Sequence, residues 1–196
     1  MTEMTSSVVE LPRPRVRQPG LLREIISTIA FVIAAFTLLQ LALPRSVVHG
    51  RSMDPTLGEG QRLIISRLNY LFGEPQRGDI VVFNSPEPLN EGEPPLIKRL
   101  IGKPGDVVEI RDRLVYVNGE VLNEPYINEP CQSKCADNRW ELGPEEYFMM
   151  GDNRNHSNDS RAFGVVPREN IIGEALFRFW PLDSIGSIHQ SRFPSE

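Results

Sequence analysis

The stretch Leu114-Val115-Tyr116-Val117-Asn118-Gly119-Glu120-Val121-Leu122 decides the fold. Two short, mostly apolar runs, Leu114-Val115-Tyr116-Val117 and Glu120-Val121-Leu122, flank Asn-Gly, the dipeptide best able to place both central positions of a two-residue turn at φ > 0. This predicts a hairpin, and further short strand-like runs lie on either side of it. Leu63-Ile64-Ile65, Asp79-Ile80-Val81-Val82-Phe83, Leu96 to Ile101, Val107 to Ile110, Tyr147-Phe148-Met149-Met150 and Ala175 to Trp180 are short apolar runs, most of them bounded by Gly or Pro. Seventeen prolines and fifteen glycines punctuate the 196 residues, as many short strands require. The expectation is a mostly antiparallel β domain, a Greek-key-like barrel or sandwich, over residues 45–185. Ser85 to Pro95 and residues 123–145 read as loops, and 186–196 as a polar C-terminal tail that holds His189.

The N-terminal part has a different pattern. Ile25 to Leu43 is almost free of charge and scatters its few polar residues, Ser27, Thr28, Thr37 and Gln40, over all sides. As a helix it covers roughly 28 Å, the thickness of a bilayer's hydrocarbon. A core helix would show a polar face. A cleaved leader would be shorter and followed by a small-x-small pattern. The segment 21–44 is therefore expected to be a retained membrane anchor, ended by Pro44. Arg13, Arg15, Arg17 and Arg23 precede the apolar run Ile25 to Leu43, so the positive-inside rule puts residues 1–20, rich in proline and polar groups and expected to be disordered, in the cytoplasm. The domain after Pro44 then lies across the membrane. A net charge of −5 excludes a nucleic-acid binder in need of a basic surface. Cys131 and Cys135 are too few for a disulfide scaffold or a four-ligand zinc site. They can close one small loop in an oxidising compartment or stay as two thiols.

Beyond the anchor, Gly50-Arg51-Ser52-Met53-Asp54-Pro55-Thr56-Leu57 places a serine in a turn. Such a serine is commonly satisfied by its own backbone, and it is a nucleophile only beside a base. Strand alternation puts Lys98 on one face with Leu96 and Leu100, and Arg99 on the other with Ile97 and Ile101. An ammonium between leucines is desolvated, which favours the neutral amine, unless it snorkels to an edge. Gly151 to Arg161 gathers Asp152, Arg154, Asp159 and Arg161 with Ser157. It reads as a solvated turn, a calcium loop or a hydrogen-bonded brace, with Asp152/Arg154 and Asp159/Arg161 as its opposite charges. An EF-hand template fails, because loop position 3 is Arg154 and the obligatory glycine is Ser157. Of the histidines, His156 is the one credible alternative base; His49 lies too close to Ser52 in sequence.

These strings appear in the order found in type I signal peptidases, which the chain resembles from the anchor to about Pro167. They are Ser-Met-x-Pro-Thr at 52–56, Gly-Asp-Ile-Val-Val-Phe at 78–83, Lys-Arg-x-x-Gly-x-Pro-Gly-Asp at 98–106 and Gly-Asp-Asn-Arg-x-x-Ser-x-Asp-Ser-Arg at 151–161. The resemblance implies a membrane-bound Ser/Lys endopeptidase that removes signal peptides from exported preproteins through an acyl-enzyme. It makes Ser52 the nucleophile, Lys98 the general base and Ser157 the residue that positions Lys98. Asp152, Arg154, Asp159 and Arg161 become structural supports, and the Ser52 N–H part of the oxyanion hole. Some members carry a serine at the position of Gly50 as a second donor, and here that donor is missing. The implied core is all β around a shallow hydrophobic groove, for which Val48, Met53, Leu57, Leu96 and Ile97 are the expected walls. No cofactor or metal is implied. The implied partners are signal peptides and the lipid bilayer, with the chain a monomer in the plasma or thylakoid membrane and its catalytic domain on the extracytoplasmic or lumenal side. Two rivals remain: a Ser/Lys self-cleaving repressor, which would have no use for residues 25–43, and a catalytically silent tethered β domain that binds exported proteins.

Overall fold

A computed structural model describes residues 20–87 and 92–191. Arg13, Arg15 and Arg17 lie outside the described residues, as do part of the loop expected at Ser85 to Pro95 and the last five residues. The chain divides into two compact units at Leu39/Gln40. Helix α1 (Leu21–Ala42) is 22 residues long, buries none of them and is long and apolar enough to cross a membrane. It stops two residues before Pro44, which cannot continue the ladder of helical hydrogen bonds.

Among the described residues the second unit is mostly β, with two short α-helices, Leu68–Phe72 and Ser160–Phe163, and two 3₁₀ turns, Arg168–Asn170 and Leu182–Ser184. Its larger sheet is built from β1 (Arg45–Val47), β2 (Arg62–Ser66), β3 (Ile80–Phe83), β4 (Leu96–Gly102), β9 (Glu146–Met150), β10 (Val166–Pro167), β11 (Ile171–Trp180) and β12 (Gly186–Ser187). Its strands run in the order β1-β2-β11-β3-β4-β9-β10, with β12 on β11, and every pairing is antiparallel. The smaller sheet has the order β7-β6-β5-β8, from β5 (Val107–Arg111), β6 (Leu114–Val117), β7 (Glu120–Val121) and β8 (Asn138–Glu141). The Asn118-Gly119 turn forms as its sequence predicts: both residues have positive φ, 54° and 86°, and Val117 registers with Glu120. The turn is also tied down, because Asn118 Oδ1 accepts the Val107 N–H and its Nδ2 donates to Asp106.

The strand expectations hold for the apolar runs, while β1, β8, β10 and β12 were not predicted. The strands β12 and β8 fall in stretches expected to be a tail and a loop. Gly186–Ser187 pairs with β11, and Gln190 accepts from Ile80 N–H at 2.7 Å and donates to Ala175 C=O at 2.7 Å. Gly186–Ser187 thus belong to the sheet, and the Gln190 side chain ties the following residues to it by satisfying backbone groups of two strands. Apolar side chains collect in three buried clusters, one of which packs Val48, Met53 and Leu57 against Leu63, Ile65, Ile80, Val82 and Ile97. This cluster fixes the turn that bears Ser52.

Candidate active site

Ser52 sits in the turn between β1 and β2. Gly50 takes φ +75°, a conformation that costs glycine little. On the far side of Ser52, Met53 and Leu57 are buried, and the Leu57 N–H bonds the Met53 carbonyl at 2.9 Å, which pins the turn to the core. Ser52 itself is half-buried. Its carbonyl accepts the Asn153 N–H at 3.0 Å, and Asn153 Nδ2 donates to the neighbouring Arg51 carbonyl at 3.0 Å. The loop 151–161 therefore grips the backbone of the serine turn. The approach is so close that a Cβ on Gly151 would lie 2.4 Å from the Ser52 carbonyl oxygen and 2.3 Å from Ser157 Oγ.

Lys98 projects from β4, which is paired on one side with β3 and on the other with β9. It is only 3% exposed, so it does not snorkel. Its Nζ lies 2.7 Å from Ser52 Oγ and donates to the Ile97 carbonyl at 3.1 Å. Burial lowers its pKa from the usual 10.5 to about 8, while the negative charges of Asp159 and Asp152 pull it back upwards.

Both carboxylates are engaged by arginines. Asp152 takes Arg99 in a bidentate pair, with Nε–Oδ1 2.8 Å and Nη2–Oδ2 2.7 Å, and also accepts the Thr56 hydroxyl at 2.5 Å. Asp159 takes Arg161 in the same way, at 2.8 and 2.7 Å, and accepts the Gly151 N–H at 2.9 Å. Burial works to raise the Asp159 pKa, but Arg161 and the Gly151 N–H prevail and hold it below the usual carboxylate range. The expected Asp159/Arg161 pair is thus present, whereas the side chains of Asp152 and Arg154 do not pair with each other. Arg154 turns the other way, to Glu124, through Nη1 at 2.7 Å and a second short bond from Nη2, and its Nε donates to the Gly151 carbonyl at 3.1 Å. The reason is steric reach: Arg99, one position along β4 from Lys98, already occupies both Asp152 oxygens. Tyr126 lies beneath the Arg99 guanidinium, 4.1 Å from ring centre to Cζ.

Ser157 is buried beside this network, and its Oγ makes no hydrogen bond of ordinary geometry among the described residues. Its weaker polar interaction is with Asp159. No bond joins it to Lys98, so the expected positioning contact is not formed here. Cys131 and Cys135 form a disulfide, and Arg161 Nη1 rests 3.4 and 3.3 Å from the two sulfurs. The exposed His156 lines a polar cleft of about 260 Å³ with Arg51, Asp54 and Glu129, and does not join the Ser52 groove.

That groove, about 80 Å³, runs past Ser52 and Lys98 and is lined by Val48, His49, Met53 and the segment Glu93 to Ile97. Four of the five expected walls are there. Leu57 is not, because it is wholly buried in the core beneath the turn. Arg99, Asn153, Thr56 and Glu124 take part in the site without having been singled out. The sequence signal for Arg99 was an arginine alternating with Ile97 and Ile101 on a strand with no polar face; Glu124, in a stretch read as loop, had none.

Residues 22–180 match the family model described as signal peptidase, peptidase S26. The chain is 39% identical over 186 residues to signal peptidase I of Leptolyngbya laminosa, spanning 90% of this chain and 87% of that protein. It is 43% identical over 169 residues to probable signal peptidase I-1 of Synechocystis sp., spanning 84% and 85%. A crystal structure of a signal peptidase I from Enterococcus faecalis is 35% identical and superposes with a TM-score of 0.44, covering 52% of this chain and 96% of that one.

Proposed function

The chain belongs to the signal peptidase family, peptidase S26, and from that premise we propose that it is a membrane-bound serine endopeptidase that removes signal peptides from exported preproteins. Helix α1 serves as the anchor. The arginines before it keep the N-terminus in the cytoplasm and leave the β domain on the far side.

The observation that carries the reading is the 2.7 Å separation of Ser52 Oγ from a buried Lys98 Nζ. The neutral amine accepts the Ser52 hydroxyl proton as Oγ attacks the scissile carbonyl carbon. The resulting oxyanion is met by the Ser52 N–H; Gly50 offers no side chain to help, so a second donor must come from backbone or water. The tetrahedral species collapses, the C–N bond breaks, and the Lys98 ammonium returns its proton to the leaving amine. Lys98, neutral again, then takes a proton from the water that attacks the acyl-Ser52 ester carbon; the C–Oγ bond breaks, and the Lys98 ammonium returns that proton to Ser52 Oγ, which restores the free enzyme. Burial lowers the Lys98 pKa and outweighs the upward pull of Asp159 and Asp152, whose charges Arg161 and Arg99 partly offset.

The substrate's extended backbone lies in the groove past Val48, Met53, Leu96 and Ile97, whose shallow walls admit small side chains. Ser52→Ala and Lys98→Met, assayed on a preprotein in detergent, test the assignment. Both are expected to abolish turnover, and near-normal turnover by either rules out the pair. Acylation of Ser52 by a β-lactam-type inhibitor separates this reading from a silent binding domain.

A further inference from the structure

Strand β4 has one edge that is only partly paired. The Leu100 N–H donates to the Asp79 carbonyl at 2.9 Å, and the Leu100 carbonyl accepts the Gly78 N–H at 2.8 Å. Leu100, and by alternation Lys98 and Leu96, therefore turn their backbone groups towards β3. Arg99 and Ile97 turn theirs the other way. Opposite Arg99, Ile80 likewise sends its N–H away from β4, to Gln190 at 2.7 Å. On this second edge β9 begins to pair at Arg99, which registers with Met150, and no described strand pairs there with Ile97. The Ile97 carbonyl accepts Lys98 Nζ at 3.1 Å, so the open end of the edge lies on the Ser52 side and borders the groove.

Two residues back along the chain, the next backbone groups of the same orientation belong to Pro95. It is exposed, lines the groove and has no N–H to give. A peptide added to this edge as an extra strand meets one main-chain donor, at Ile97, and beyond it only a carbonyl. We infer that Pro95 is a specificity-determining residue: it ends main-chain donation to the signal peptide at Ile97 and leaves the stretch farther from the cut to be held mainly by side chains. The inference rests on the peptidase reading of the Ser52 groove. Its consequence is a substrate class. Signal peptides need an extended backbone only close to the cut, and beside Pro95 they can turn away without forfeiting a hydrogen bond from the enzyme's N–H groups.

The test compares Pro95→Ala, which restores the missing donor, with Pro94→Ala, whose new N–H points by the same alternation towards β3 and not into the groove. Both are full chains in detergent, cleaving a synthetic peptide that spans a signal-peptide cleavage site. Pro95→Ala is expected to lower KM about fivefold, the effect of one added hydrogen bond, with kcat unchanged. Pro94→Ala is expected to change neither. A series of peptides then replaces one backbone carbonyl at a time by a methylene group, from the third to the sixth residue before the cut. The gain of Pro95→Ala over the parent should vanish at one position of that series and persist at the others. A KM that does not fall in Pro95→Ala, an equal fall in Pro94→Ala, or a gain that survives every replacement overturns the inference. In each of those cases the peptidase reading stands as long as Ser52→Ala is inactive on the same peptide. If Ser52→Ala still cleaves it, the reading of the groove fails and the inference falls with it.

Discussion

Arg99 and Lys98 are neighbours on one strand, yet Arg99 is locked into both oxygens of Asp152 while Lys98 has no carboxylate within hydrogen-bond contact among the described residues. The strand's alternation separates them, and the arginine absorbs the charge that would otherwise keep the lysine protonated. A lysine bonded only to a hydroxyl and a carbonyl, and buried, loses its proton more readily than one in water.

The rate should therefore follow deprotonation of Lys98. With its pKa lowered to about 8, kcat/KM is expected to fall about tenfold per pH unit below that value and to level off above it. A pH–rate profile flat from weakly acidic to alkaline pH would exclude Lys98 as the base.

The same shift bears on stability. The folded pKa lies below the unfolded one, so the unfolded chain binds the extra proton between about pH 8 and 10.5 and stability rises through that window. Below about pH 8 the cost of the buried site is fully present, at about 3 kcal/mol. Lys98→Met should therefore be more stable than the parent at neutral pH, with the difference shrinking towards pH 10.5. Chemical unfolding in detergent at several pH values measures it.

Arg161 is expected to act on the lysine through Asp159. Arg161→Gln removes the bidentate partner and leaves a buried carboxylate acting on Lys98. The amine should then hold its proton more tightly, moving the acid limb of the rate profile to higher pH by about one unit. A lower rate with an unmoved limb would mean that Arg161 only supports the loop.

The hairpin at Asn118-Gly119 and the strand around Lys98 were legible because their signals are local: a turn dipeptide and a period of two. The anchor was legible from length alone. The pairing of charges was not. Asp152 and Arg154 are adjacent enough in sequence to suggest each other, but their partners lie 53 and 30 residues away, at Arg99 and Glu124. Only the docking of the loop onto β4 and onto the 123–145 segment decides that. Strand β8, Asn138-Arg139-Trp140-Glu141, is mostly exposed and pairs with β5 at the end of the small sheet, so it carries no apolar alternation to be read. Spacing left the disulfide open because four-residue separation permits closure without requiring it.

Glu124 neutralises Arg154, which is almost fully buried and would otherwise be a lone charge in the interior. Glu124→Ala is expected to destabilise the domain by about 3–5 kcal/mol, the range for breaking one side of a buried pair. Because Arg154 also holds the Gly151 carbonyl, activity should fall along with the melting temperature. Thermal unfolding in detergent decides the matter, and a shift of less than a degree would mean that solvent reaches Arg154.

Gly151 is the point where the loop and the serine turn have no room to spare. Gly151→Ala would put a methyl group 2.4 Å from the Ser52 carbonyl oxygen, and that oxygen is backbone already bonded to Asn153 N–H. Ser157 can rotate its hydroxyl away but not its Cβ, 2.6 Å from the added methyl, and the Ser52 carbonyl cannot move without disturbing the residue that carries Oγ. The variant is expected to fold, at a cost of about 1–3 kcal/mol from overpacking, and to lose about a hundredfold in turnover through misplacement of Oγ relative to Lys98. Adding Ser157→Ala removes one clash only, so it should restore part of the stability and little of the rate. Circular dichroism melting and peptide cleavage, run side by side on both variants, separate the two effects. Full recovery of rate in the double variant would shift the constraint from the Ser52 backbone to the Ser157 hydroxyl.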